Sequence, residues 1–118
     1  MRFLTMVKGS ENAGQPPQSL MEAIGKLGEE ATIAGVLVET GALGPSGLGA
    51  RIRIGGGKLD VTDGAFGEGT ELVGGYAVYE VESKEEALHW GRRFAQLHAD
   101  HWPEWTGEVE IRQVVFRQ

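Results

Sequence analysis

The chain contains no cysteine, which removes disulfides, thiolate nucleophiles and cysteine-ligated zinc from its repertoire. It has no apolar run of the length needed for a membrane span or a signal peptide, because Lys8 and Glu11 interrupt the opening Met1-Arg-Phe-Leu-Thr-Met-Val segment. Basic charge is scarce. Eleven Lys and Arg stand against 17 Asp and Glu, a formal charge of -6, which opposes attraction to nucleic acid or an anionic membrane, where counterion release needs concentrated positive charge. No Gly-x-Ser-x-Gly elbow is present to expose a serine nucleophile. These absences lead us to expect a cytoplasmic chain that begins directly in its first strand and engages neither nucleic acid nor membrane.

Glycine, in contrast, is plentiful. The 19 glycines among 118 residues are about twice the usual share and announce many tight turns. The length fits a single domain, residues 1–118, with no room for a second core.

Phe3 to Val7 reads as a short buried strand, closed by the polar Gly9–Pro17 segment. From Ser19 to about Ala34, Leu20, Ile24, Leu27, Ala31 and Ala34 recur at steps of three and four, which predicts a helix with one apolar face ended by Gly35. Val36 to Thr40 is the second expected strand. Between Ala50 and Thr62, Ile52 and Ile54 alternate with Arg51 and Arg53, and Leu59 and Val61 with Asp60 and Thr62, around Gly55-Gly-Gly57. That is a hairpin pattern with one wet face. Leu72 to Val81 differs: Val73, Ala77, Tyr79 and Val81 occupy one side, and Leu72, Tyr76 and Val78 the other, so both faces ask for cover. Ser83-Lys-Glu-Glu86 is a capping-box signal for a helix with Ala87, Trp90, Phe94 and Leu97 inward and Glu85, His89 and Arg93 outward, stopped near Pro103. Val109 to Phe116 completes the order. The plan is α+β: a ferredoxin-like βαββαβ unit with a hairpin inserted between its middle strands. The two-faced strand, with Val114 and Phe116, predicts a homodimer packed sheet to sheet.

Val61-Thr-Asp-Gly-Ala-Phe66, Glu71, Gly74-Gly-Tyr76 and Ser83-Lys-Glu-Glu-Ala87 together resemble the YCII-related family, specifically its DGPF-domain branch. That signature reads Val-Thr-Asp-Gly-Pro-Phe, an acidic residue, Gly-Gly-(Tyr/Phe), then Ser/Asp-x-x-Glu-Ala. Ala65 replaces the proline that gives the branch its name and relaxes the turn without removing Asp63, Gly64 or Phe66. The resemblance implies a dimeric α/β barrel, in which ferredoxin-like subunits pair through their sheets. It implies little chemistry: an acidic signature residue is suspected in an active site, and some members accompany alternative sigma factors.

Asp63 shares strand parity with Leu59 and Val61, so its carboxylate is a candidate general base on the covered side; the competing account is an Asp-Gly turn bonded to its own backbone. Arg51 and Arg53 project together and can hold a ligand anion, or serve as solvated strand charges. Phe66 and Tyr76 join them as candidate ligand contacts. His98 continues the inner stripe one turn after Phe94. With Asp100 and His101 it offers metal-ligand types, but histidines at a helix C-terminus explain it without a metal. Trp102 and Trp105 suit either a pocket mouth or a satellite core. The glycines at 64, 67 and 69 lack a following Lys-Ser/Thr, and Glu68 and Glu71 would repel phosphate, so turns are expected there.

Two function classes follow. One is a small-molecule-binding protein, or an enzyme using carboxylate and histidine acid–base chemistry without metal or cofactor, in a cleft between sheet and helices near Asp63 and Phe66. The other is a noncatalytic dimeric module that binds a protein or senses a metabolite in transcriptional control.

Overall fold

Alternation in the first residues produces β1 (Arg2–Gly9), which sends Phe3 and Thr5 to a buried side and leaves Leu4 and Met6 partly exposed on the other. The structure is a computed structural model that describes residues 1–66 and 72–116. The elements after β1 are α1 (Gln18–Ile33), β2 (Leu37–Ala42), β3 (Ala50–Gly55), β4 (Lys58–Asp63), β5 (Leu72–Glu80), α2 (Lys84–His101) and β6 (Gly107–Gln113). Four of the strands form an antiparallel sheet in the order β2-β5-β1-β6. With the two helices against it, this is the ferredoxin-like arrangement.

Local chemistry sets the element ends. Gly35, at φ 77°, closes α1 in a Schellman turn, with the Val36 N–H bonded to the Ala31 carbonyl at 3.1 Å. At α2, Ser83 Oγ accepts from the Glu86 N–H at 3.1 Å, as a capping box requires. Glu86 reaches one residue further back than the sequence pattern implies, accepting from the Glu82 N–H at 3.0 Å. The last strand starts two residues earlier than Val109 and stops at Gln113, which leaves Val115 and Phe116 exposed beyond it.

The core lies between helices and sheet. Phe3, Leu27, Ala31, Tyr79, Val81, Ala87 and Trp90 form one buried cluster, with the Tyr79 and Trp90 rings stacked at 6.2 Å. A bidentate ion pair ties the two helices on their outer side: the Arg93 guanidinium donates to both Glu30 oxygens at 2.9 and 2.6 Å. That hydrogen bond holds the Glu30 carboxyl below its ordinary 4.5. A depressed carboxyl contributes stability above its unfolded value and loses it as pH falls through the folded one. Glu30→Gln is therefore expected to lower Tm at neutral pH and to match the native chain in strong acid, a gap that paired melting curves would measure.

Strands β3 and β4 stand apart as a separate two-stranded sheet. Gly56 and Gly57, at φ 57° and 74°, supply the positive-φ pair of their tight turn. The expectation of one wet face fails within the single chain. Ile52 (58% exposed), Ile54 (79%), Leu59 (69%) and Val61 (60%) lie uncovered on one side of the hairpin, because the hairpin leaves the four-stranded sheet instead of extending it.

Candidate functional site

The chain ends of β1 and β2, together with the start of β5, lie at the same end of the sheet. There the first turns of α1 and the last turns of α2 leave a cavity of about 570 Å³, within the usual range for a small-molecule site. Leu20, Met21 and Ile24 approach from α1, Phe94 and His98 from α2, and Thr5, Val7, Ala77 and Tyr79 from the sheet. Trp102 and Trp105 close one side as a stacked pair, 5.8 Å between ring centroids. Trp105 can lie there because Gly9 and Gly107, paired across β1 and β6, carry no side chain: an added Cβ would fall 2.6 Å and 2.1 Å from the indole. The two tryptophans thus fold over the strands and line the cavity.

His98 is the titratable group at the centre. Its ring is buried, edge-on to Phe94 at 4.8 Å and tilted against Trp105 at 5.2 Å. Nδ1 lies 3.0 Å from the Phe94 carbonyl. A carbonyl only accepts, so Nδ1 carries the proton of the neutral ring and Nε2 keeps its lone pair. Among the described residues Nε2 has no hydrogen-bond partner, and His98 lines the cavity, so the neutral ring keeps one free acceptor. Thr5 also lines the cavity, but its hydroxyl oxygen is itself buried away from the cavity surface. The residue is 3% exposed, and the hydroxyl has no partner among the described residues. None of the described lining residues is Asp, Glu, Lys or Arg, in a chain that is 24% charged. A second, shallower hollow of about 230 Å³ between α1 and α2 is occupied at its rim by the Glu30–Arg93 pair; it presents no comparable buried polar group.

A buried hydroxyl without a partner costs about 1–3 kcal/mol. Thr5→Val keeps the β-branched shape and removes that cost, so the unliganded protein is expected to melt at the same temperature or higher. A clear fall in Tm would show that the hydroxyl is satisfied in solution.

The residues singled out from sequence are divided by the fold. Tyr76 borders the cavity where β5 runs beneath it, but by strand parity its ring lies with Met6 and Val78 on the sheet's other face, where its hydroxyl donates to the Glu39 carboxylate, a bond that raises the phenol's pKa. Arg51 and Phe66 come together at the base of the hairpin, the guanidinium 5.0 Å from the ring centroid, and the Phe66 N–H donates to Ser46 Oγ at 3.0 Å. Arg53 faces Asp60 across the hairpin and is exposed. Asp63 sits exposed at the end of β4, opposite Ala50. The described lining of the cavity includes none of Asp63, Arg51, Arg53 or Phe66. The side of the hairpin toward which Leu59, Val61 and Asp63 point is uncovered, which corrects the expectation that it is the covered side. Gly67, Gly69, Glu68 and Glu71 lie outside the described residues. From sequence, His98 stood on the inner stripe and was weighed with Asp100 and His101 as a metal ligand or a helix-end charge, not as a cavity group, and Thr5 was passed over. Its signal was parity with Phe3 on β1.

A family model described as the YCII-related domain matches residues 1–115. The chain belongs to the YCII-related family. The match takes in every helix and strand of the ferredoxin-like unit and both arms of the hairpin, so the YCII-related domain and the folded domain coincide. No curated protein matches the sequence. Among the described residues, no three His, Asp or Glu side chains cluster as a metal ion would need, and no helix is long and apolar enough to cross a membrane.

Proposed function

We propose that this YCII-related domain binds a small molecule in the cavity between sheet and helices, and that His98 Nε2 is the group that exchanges a proton with it. One observation carries the reading: a buried imidazole with its proton fixed on Nδ1 by the Phe94 carbonyl presents a lone pair to a cavity of ligand size. Acid–base chemistry at that nitrogen needs no thiol and no metal. The Val61–Phe66 segment supports a place in the DGPF branch.

A metabolite-library thermal-shift screen tests the reading, since a ligand that binds only the folded state raises apparent stability by mass action. Ala77→Met grows a side chain from the cavity wall, and Asp63→Asn removes the exposed carboxylate. The expected hits lose their shift in the first variant and keep it in the second. Shifts lost only with Asp63→Asn would move the site to the hairpin base beside Arg51 and Phe66. No hit at all would favour the noncatalytic module.

We infer also that two copies pair through the open faces of their sheets. Leu4, Met6, Tyr76 and Val78 are partly exposed at its centre, framed by the Arg2–Glu80 and Lys8–Glu110 pairs at 3.1 and 3.3 Å. The bare aliphatic side of the hairpin adds apolar area that a single copy leaves in water. Sedimentation in dilute solution is expected to give a dimer that Val78→Lys dissociates; a native monomer would contradict the pairing.

A further inference from the structure

The cavity's chemistry also selects among ligands, and the inference below rests on the cavity reading just given. We propose that the ligand is an uncharged aromatic ring bearing a hydroxyl, with the hydroxyl donating to His98 Nε2 and the ring lying against Trp102, Trp105 and Phe94.

Three features point the same way. In the neutral ring, with Nδ1 donating to the Phe94 carbonyl at 3.0 Å, Nε2 only accepts, so the ligand must bring a donor. The walls are flat and apolar: the stacked indoles at 5.8 Å, with His98 and Phe94 4.8 Å apart beside them, offer ring faces and edges to a planar guest. No Lys or Arg is among the described lining residues to offset a carboxylate, and no Asp or Glu to hold an amine. An ionised guest would therefore pay its desolvation without a charged partner.

Protein-observed NMR titrations with 2-naphthol, naphthalene and 2-naphthoate, followed at the Trp102 and Trp105 indole N–H signals, test this. With the native chain, 2-naphthol is expected to bind about fivefold or more tightly than naphthalene, the worth of one hydrogen bond. 2-Naphthoate is expected to bind more weakly than either. His98→Phe keeps a ring in place and removes the acceptor, so the preference for naphthol over naphthalene should vanish there. Equal binding of naphthol and naphthalene by the native chain, or strongest binding of naphthoate, overturns the ligand class. If His98→Phe does not fold, the comparison on the native chain decides. Failure of all three rings while library hits still depend on Ala77 overturns this inference alone, whereas loss of that dependence overturns the cavity reading itself.

Discussion

Alanine in place of Trp90 is expected to cost about 3–5 kcal/mol of folding free energy. The indole is 7% exposed and packs at the centre of the cluster that joins both helices to the sheet. It stacks on Tyr79 at 6.2 Å, meets His89 edge-on at 5.4 Å, and lies under the Arg93 guanidinium at 5.3 Å. Removing it opens a void among side chains held by a rigid sheet, so collapse into the space is limited and the full cavity penalty is felt. Domains of this size are stable by about 5–15 kcal/mol in total, so the variant should stand close to unfolding at room temperature. Urea titration checks it: the midpoint should fall steeply with the slope unchanged. A loss below about 1 kcal/mol would mean that the core closes around the gap, contrary to the packing described.

Gly107→Ala is the second large effect, and it joins stability to the site. The new methyl would lie 2.1 and 2.3 Å from Trp105 ring carbons and 2.5 Å from the Lys8 carbonyl oxygen. The indole can swing away, but the carbonyl belongs to β1 and is held by its pairing with β6, so relief requires both movements. Overpacking of this kind costs about 1–3 kcal/mol or more. Trp105 also flanks the His98 ring at 5.2 Å, so its displacement should abolish ligand-induced stabilisation in whatever molecules remain folded. The same substitution elsewhere has the opposite sign. Gly25 and Gly28 lie within α1, where an added Cβ meets nothing within 4 Å, and alanine there should stabilise by about 0.5–1 kcal/mol. Thermal melts of the three variants measure the contrast. Gly107→Ala melting no lower than the native chain would show that Trp105 does not occupy the position described.

The order of elements was legible because each rests on local chemistry: the three-four spacing from Leu20 to Ala31, Gly35 with positive φ after it, the Ser83–Glu86 cap, and the glycine turn between β3 and β4. His98 was placed correctly on the inner stripe for the same reason, one turn after Phe94. What remained hidden depends on which elements meet across the chain. Alternation told Leu59 and Val61 from Asp60 and Thr62, but it could not tell that the hairpin would leave the main sheet and keep its aliphatic side in water. Asp63 was read through that same parity, and so it was expected beside a cleft whose described lining excludes it. The tautomer of His98 is a further case: it is set by the Phe94 carbonyl, a backbone group that sequence spacing alone does not mark as a partner. Gly9 reads from sequence only as the start of the polar segment after the first strand, whereas Gly9 and Gly107 sit at paired strand ends where a ring needs the space.

Long-range ¹H–¹⁵N correlation spectra of the His98 side chain, recorded in mildly alkaline buffer with and without a thermal-shift hit, test the proposed site most directly. The geometry predicts a proton on Nδ1, a bare Nε2, and an Nε2 resonance that moves when the hit is added. A proton on Nε2 in the free protein, or an Nε2 resonance unmoved by a ligand that demonstrably binds, would contradict it.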